Sequence, residues 1–381
     1  MNKIILTNAS IVTPTEVFKG TLVVNEKGII EDLSHSTSQI KSAIDCEGDF
    51  LVPGLVELHT DNLEKYFTPR PGVNWPSRSA VATHDAQIVA SGITTVFDAL
   101  SLGDVVHGSS RLKNLTDMIG ALQLAEDDKV HRANHYLHLR CEVSYAGVLE
   151  LFDALVDHPM VHLVSVMDHS PGQRQFVKEE KYREYYQGKY GFSDEQLAEF
   201  ILKQKEASKK YSASARHSIV NRCHLNDIPL ASHDDATIAH ANEARENRMT
   251  VAEFPTTVEA AKASHQHGLS VLMGAPNIVR GGSHSGNVAA KKLAENGVLD
   301  ILSSDYYPAS LMDAVFKLAT FENDYDLPKA IKTATDTPAK SVGLHDRGAI
   351  ETGKRADLVW VKSAGDHPLI RHVWNQGHRV Y

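Results

Sequence analysis

The chain has 381 residues, 42% of them hydrophobic, which is enough to bury a substantial core in one large barrel or two ordinary domains and excludes a disordered polymer. A formal net charge of −9, from 39 basic and 48 acidic residues, excludes global attraction to nucleic acid or to an anionic membrane, so any polyanionic ligand must be held by local cations or metal ions. Three scattered cysteines, Cys46, Cys141 and Cys223, form no CxxC pair; they argue against a disulfide framework or a thiolate zinc site and point to a reducing cytoplasm.

Met1 to Ser10 mixes Asn2, Lys3 and Asn8 into its short apolar run, unlike the uninterrupted core of a signal peptide, and no later stretch is apolar enough to span a bilayer. Short β-runs follow at Ile4 to Leu6, Ser10 to Val12, Leu22 to Val24 and Ile29 to Ile30, broken by Asn, Gly and Pro. From about residue 53 the texture changes to apolar strand-like runs alternating with amphipathic helical segments, the pattern of βαβ units and a parallel sheet. Eight such runs are visible: Leu55 to His59, Thr94 to Ala99, Tyr136 to Val143, His162 to Asp168, Pro229 to His233, Thr250 to Phe254, Ser270 to Met273 and Leu299 to Ser304. Eight is the number that closes a barrel. The connection from Gln173 to Arg222 is far longer than an ordinary βα loop and must contain helices of its own. Its cations Arg174, Lys178, Lys181, Arg183 and Lys189, with several tyrosines, suit either a lid over an anion or a solvated helical hairpin. After Gly348, Ala356 to Val361 and Val373 to Gly377 return to the strand-and-turn texture of the first fifty residues. The expected fold is therefore α/β. It comprises a (β/α)8 TIM-like barrel over residues 53–344, with a helical insertion at 173–222, and a small β-sandwich domain built from residues 1–52 and 345–381.

Such a barrel collects its chemistry where strands end. His59-Thr60-Asp61 closes the first run, and alternation along a strand can turn His59 and Asp61 to one side. Alone that triplet is a weak signal, because a lone histidine is more often structural and the chain has 21 of them. The other strand ends strengthen it: Glu142 near the end of the third run, His169 after the fourth, His233 closing the fifth and Asp305 after the eighth. Imidazoles and carboxylates are what zinc, manganese or iron accepts, and six donors suffice for two adjacent divalent ions. Several unpaired carboxylates at one barrel mouth would otherwise repel one another and be costly to desolvate. Asp234 and Asp235, next in sequence, are candidates to orient the His233 imidazole.

After the seventh run, Arg280-Gly281-Gly282-Ser283-His284-Ser285-Gly286-Asn287 leads into an Ala-rich helical segment. Glycine-rich loops at helix N-termini offer free N–H groups, and barrels often hold phosphate after strands seven and eight. Arg280, Ser283 and His284 are thus candidates for an anion site, with Arg70, Arg78 and Arg174 as further positive charge. The plain alternatives are a loop whose Ser or Asn caps the helix, and surface arginines.

Several motifs carry a family resemblance. Val52-Pro53-Gly54-Leu55-Val56-Glu57-Leu58-His59 and Gly353-Lys354-Arg355-Ala356-Asp357-Leu358-Val359 resemble the opening and closing motifs of the amidohydrolase superfamily. His59-Thr60-Asp61-Asn62-Leu63, Met167-Asp168-His169-Ser170-Pro171-Gly172-Gln173-Arg174-Gln175, Ala231-Ser232-His233-Asp234-Asp235, Met273-Gly274-Ala275-Pro276-Asn277 and Ser303-Ser304-Asp305-Tyr306-Tyr307 are similar to its phosphonate-utilising branch. The resemblance covers essentially the whole chain. It implies hydrolysis of a phosphoric anhydride, converting α-D-ribose 1-methylphosphonate 5-triphosphate to the 5-phosphate and diphosphate. It also implies two divalent ions, zinc or manganese, held by His59, Asp61, Glu142, His169, His233 and Asp305. Asp305 would then act as general acid/base, with His233 beside it. The chain departs from the wider superfamily in carrying HxD where HxH is common and Glu142 where many members have a carboxylated lysine. Its run from Thr250 to Pro255 carries Glu253 and no histidine. Competing readings are hydrolysis of a cyclic amide or deamination by the same centre, and a barrel scaffold without catalysis. Barrels of this type often form homo-oligomers, although the sequence carries no interface signature.

Overall fold

Short runs of β-branched and other apolar residues, separated by polar residues, glycine and proline, recur through the first fifty residues, which suits short strands. The computed structural model describes residues 3–103, 110–176, 179–283, 286–321, 324–364 and 367–381. It folds this segment into β1 (Ile4–Val12), β2 (Val17–Val24), β3 (Ile30–Ser34), β4 (Ile44–Asp45) and β5 (Phe50–Pro53). The separate runs expected at 4–6 and 10–12 are one strand. Asn8 takes a left-handed φ of 53°, and a bulge between Leu6 and Ala9 lets pairing with β2 continue beyond it.

Eight strands follow: β6 (Leu55–Thr60), β7 (Ile93–Leu102), β8 (Asn134–Glu142), β9 (Val161–Met167), β10 (Leu230–His233), β11 (Val251–Glu253), β12 (Ser270–Gly274) and β13 (Ile301–Ser303). All ten residues of β7 are buried, which is why these runs read as apolar stretches without alternation. The strands form a parallel sheet in the order β13-β12-β11-β10-β9-β8-β7-β6, and a bridge between Thr60 and Asp305 links its two edges into a nearly closed barrel. The tail adds β14 (Leu358–Ala364), β15 (His367–Asn375) and β16 (His378–Arg379). Both chain ends thereby make one mixed sheet, β16-β15-β14-β5-β1-β2-β3, with β4 beside β1. Gly54 lies between that sheet and the barrel: its N–H donates to the Asp357 carbonyl at 2.7 Å, and a Cβ there would collide with the Thr94 side chain.

The chain divides into two compact units: Met1–Asp98, Met118–Tyr136 and Met273–Tyr381 form the first, Ala99–Asp117 and Leu137–Leu272 the second. In the first, Leu6, Ile11, Leu22, Leu51, Leu358, Trp360 and Trp374 share the core of the terminal sheet. In the second, the long connection forms two helices, Glu179–Tyr190 and Asp194–Leu225, the latter opened by a Ser193–Gln196 capping box. Phe176, Tyr182, Tyr186, Leu197 and Ile201 give this insertion a small apolar core of its own. Ser208 and Ser212 on the longer helix donate to Asp168 Oδ2 at 3.0 and 2.8 Å, tying the helix to the end of β9. Among the described residues, no helix is long and apolar enough to cross a membrane.

The first unit also buries a run of charged and polar side chains. Asp98 on β7 accepts from His84 Nε2 and from His135 Nδ1, each at 2.7 Å. The other His135 nitrogen lies 3.3 Å from Asp85 Oδ1, and Arg132 donates to Asp85 Oδ2 at 2.9 Å. With a carboxylate on each ring nitrogen, His135 is an imidazolium. Burial alone would lower its pKa, but Asp98 and Asp85 outweigh burial and raise it to about 9. Burial would raise the Asp98 carboxyl, but His135 and His84 hold it well below its ordinary range.

A pH dependence follows from these directions. A raised histidine pKa adds stability that is complete below the unfolded value of 6.5 and is lost as pH rises through about 9. The thermal midpoint of the parent protein should therefore fall across that interval more steeply than that of His135→Gln, which has no proton to lose there. Parallel melting curves for the two proteins would show that His135 is not the charged member of this network.

Candidate metal centre

In the first unit, closure of the barrel builds a three-residue group. The Asp61 N–H donates to the Asp305 carbonyl at 2.9 Å, and the Asp305 N–H to the His59 carbonyl at 3.1 Å. This pairing brings the HxD triplet to an aspartate far away in sequence, and donor atoms of His59, Asp61 and Asp305 lie within 4.8 Å of one another. His59 is buried, and its Nε2 is 3.9 Å from Asp61 Oδ1. Asp305 reaches its place through a left-handed φ of 57°, a strained conformation costing about 1 kcal/mol or more for a non-glycine residue.

Glu57, which sequence reasoning did not single out as a site residue, holds this junction from beneath. Its carboxylate accepts the His59 N–H at 2.7 Å, the Ser303 hydroxyl at 2.7 Å and the Ser304 N–H at 2.5 Å. Burial pushes the Glu57 carboxyl up, and these hydrogen bonds only partly counter it. Lys65 was also missed. Its ammonium donates to the Tyr306 carbonyl; desolvation lowers its pKa, opposed by the charges of Asp61 and Asp305.

In the second unit, donor atoms of His169, His233 and Asp234 lie within 4.8 Å of one another. Asp234 Oδ2 is 3.5 Å from Nε2 of each histidine, and Asp234 takes a φ of 56° at the end of β10. The opposite ring nitrogens are held by carboxylates: His169 Nδ1 by Glu142 at 2.7 Å and His233 Nδ1 by Glu253 at 3.0 Å. Glu142 also accepts the Ser144 hydroxyl at 2.6 Å. Glu253 is fully buried on β11 and extends toward His138 Nδ1 at 3.9 Å.

Both groups suit a divalent cation. Imidazole and carboxylate donors converge, and in the second group each imidazole has its far nitrogen fixed by a carboxylate, as metal-binding histidines commonly do. Electrostatics agree. Burial alone would lower the His169 pKa, but Glu142 and Asp234 raise it to about 10, the sign of a site that favours positive charge. Burial would likewise raise the Asp234 carboxyl, and His233, His169 and Arg140 outweigh it. Arg140 is buried two residues before Glu142 on β8 and was not singled out from the sequence.

Of the six donors read from sequence, the structure brings His59, Asp61 and Asp305 into one group and His169 and His233 into the other. Glu142 stands one hydrogen bond behind, on His169 Nδ1, while Asp234 joins the convergent atoms. The partner orienting His233 is Glu253, not the neighbouring Asp235. Asp235 instead pairs with Arg174, whose guanidinium also meets Glu243. Arg174 is thus a buried ion-pair partner rather than a free cation awaiting an anion. Lys181 and Arg183 pair with Glu184 and Glu179 on their own helix, while Lys178 and the Lys189 side chain lie outside the described residues. Arg70 and Arg280 are exposed, Arg78 pairs with Asp128 at 2.9 Å, Ser283 is half-buried, and His284 lies outside the described residues. The helix after the glycine-rich loop, Ala290–Glu295, has its first N–H taken by Asn277 Oδ1 at 3.0 Å, so this N–H is not open to an anion.

The model of the amidohydrolase family matches residues 86–381. The chain is 54% identical to the alpha-D-ribose 1-methylphosphonate 5-triphosphate diphosphatase of Escherichia coli (strain K12), over 378 residues that cover 99% of this chain and 100% of that protein. Among solved structures it is similar to the N-acetylglucosamine-6-phosphate deacetylase from Pasteurella multocida, with a TM-score of 0.64, 14% identity and 99% of each chain covered. It is also similar to the 5-methylcytosine deaminase from Klebsiella pneumoniae, with a TM-score of 0.64 and 16% identity over 99% of this chain and 98% of the other. At these identities the two structures speak for the fold alone.

Replacing Glu253 with leucine removes the acceptor on His233 Nδ1 at similar volume. Divalent-metal affinity in the second unit should fall about 10- to 100-fold, measured by competition with a chromogenic chelator. Unchanged affinity would show that Glu253 does not orient a metal-binding imidazole.

Proposed function

The chain belongs to the amidohydrolase family, and from that premise we propose that it is a metal-dependent diphosphatase of phosphonate catabolism, hydrolysing α-D-ribose 1-methylphosphonate 5-triphosphate to the 5-phosphate and diphosphate. The observation that carries this reading is the 54% identity, over nearly the full length of both proteins, to a diphosphatase of that substrate. The family is metal-dependent, and the two donor groups described above are of the chemistry that could hold such ions. We assign one divalent ion, zinc or manganese, to His59, Asp61 and Asp305. We assign a second to His169, His233 and Asp234, with Glu142 fixing His169. When bound, the ions supply Lewis acidity that activates water and neutralises charge on the phosphoryl oxygens.

The chain's own residues supply the rest. Asp305, with its backbone locked to β6, accepts the proton that the attacking water gives up, a role worth roughly 10²- to 10⁴-fold in rate. The oxygen of that water forms a bond to phosphorus as the anhydride P–O bond breaks, and diphosphate leaves with the electron pair. His233, held at Nδ1 by Glu253, turns Nε2 toward Asp234 and the ion assigned there. Because the protein carries a net charge of −9, no long-range field draws in a triphosphate; local cations must hold it. The exposed guanidiniums of Arg70 and Arg280, with Ser283 and His284, are assigned to that task. The protein acts in the cytoplasm on a small phosphorylated sugar.

Phosphorus NMR of metal-loaded protein with ribose 1-methylphosphonate 5-triphosphate should show diphosphate and the 5-phosphate appearing together, and neither after chelation. No turnover with metal bound, or ammonia release from a cyclic amide in its place, would overturn the substrate assignment. Asp305→Asn should weaken the ion held with His59 and Asp61 and, at saturating metal, still lower kcat by about 10²-fold or more; near-parental turnover at saturating metal would remove Asp305 from the proton-accepting role.

A further inference from the structure

Asp61 occupies the N-cap position of the helix Asn62–Phe67, yet its side chain makes no capping hydrogen bond. Aspartate is among the strongest N-cap residues, and a cap contributes about 1 kcal/mol. The Asp61 backbone, at φ −84° and ψ 8°, lies outside the extended conformation that capping residues adopt, and the side chain of the next residue is pinned at the start of the helix. Asn62 is buried, and its amide nitrogen donates to Gln87 Oε1 at 2.8 Å and to His84 Nδ1 at 3.0 Å. Because Nδ1 accepts, the His84 proton sits on Nε2, where it donates to Asp98 Oδ1 at 2.7 Å. Asp98 in turn is held by His135, and His135 by Asp85. Two carboxylates face the His135 imidazolium and the Arg132 guanidinium, so the network is charge-balanced by its own members and its geometry is fixed. A rigid chain of bonds thus runs from the helix Ser77–Ala90 and strand β7 to the residue beside Asp61.

We infer that His84 is a positioning residue: acting through Asn62, it holds the Asp61 carboxylate away from the helix that Asp61 would otherwise cap and turned toward His59 and Asp305. This rests on the reading of Asp61 as a metal donor. Asparagine at position 84 can replace the Nδ1 contact to Asn62 but leaves Asp98 one donor short. Glutamine can replace the Nε2 contact to Asp98 but releases Asn62. Positioning and stability should therefore separate in opposite directions in the two variants.

The test uses the full-length metal-loaded protein and two readouts, metal retained after dialysis against a weak chelator and the thermal midpoint. His84→Asn should keep near-parental metal with a lowered midpoint, whereas His84→Gln should keep the midpoint and hold one of its two ions about 10-fold more weakly. Asn62→Ala leaves the buried charges paired and should weaken metal in the same way, which covers the case of a His84 variant that does not fold. Asp61→Asn serves as the control. If it retains full metal, the ligand reading falls and this inference with it. If Asp61→Asn loses metal while retention in the other variants simply follows the midpoint, the inference alone is overturned.

Discussion

Everything at the site in the first unit depends on the hydrogen bonds that join the first barrel strand to the segment beyond the last. Asp61 N–H to Asp305 O and Asp305 N–H to His59 O are ordinary backbone bonds, but they bring Asp305 to two side chains more than 240 positions earlier in the sequence. A parallel barrel can close only by such a long-range pairing. Glu57 and the serines at 303 and 304 reinforce it from the buried side, at the expense of keeping a carboxyl in the core. The left-handed Asp305 is the local cost of ending the ladder where the carboxylate is needed.

The second unit meets the same requirement differently. There the imidazoles are fixed from behind, His169 by Glu142 and His233 by Glu253, and each turns its Nε2 toward Asp234. Carboxylates outnumber the fixed cations of this group, and Glu142 and Asp234 raise the His169 pKa accordingly. The insertion is anchored to these strand ends by Arg174 on Asp235 and by Ser208 and Ser212 on Asp168, so its polar groups serve the scaffold around the ligands.

Much of this was legible in the sequence, for a physical reason. Parallel strands in a barrel are buried on both faces and read as apolar runs, and polar residues are tolerated mainly where the runs stop. All eight runs became strands. His59, Asp61, His169, His233 and Asp305 stood out because they sit at or just beyond those stops. What stayed hidden depended on partners distant in the chain. Glu253 reads as one acid in a short run until its contact with His233, 20 residues earlier, is known. Glu57 reads as part of an opening motif until the serines some 246 residues later are placed on it. Arg174 looked like a free cation because nothing local reveals Asp235 and Glu243 as its partners. The glycine-rich loop looked open to anions because Asn277, on the preceding short helix, gives no sequence sign that it caps the next one.

The claim that binds these observations is that each donor group holds a divalent ion. Anomalous diffraction from crystals loaded with zinc or manganese, collected on both sides of the metal's absorption edge, addresses it directly. The expected result is one peak among His59, Asp61 and Asp305 and another among His169, His233 and Asp234. Metal peaks confined to other residues, or the absence of a peak at both groups in crystals whose metal content is stoichiometric, would contradict it.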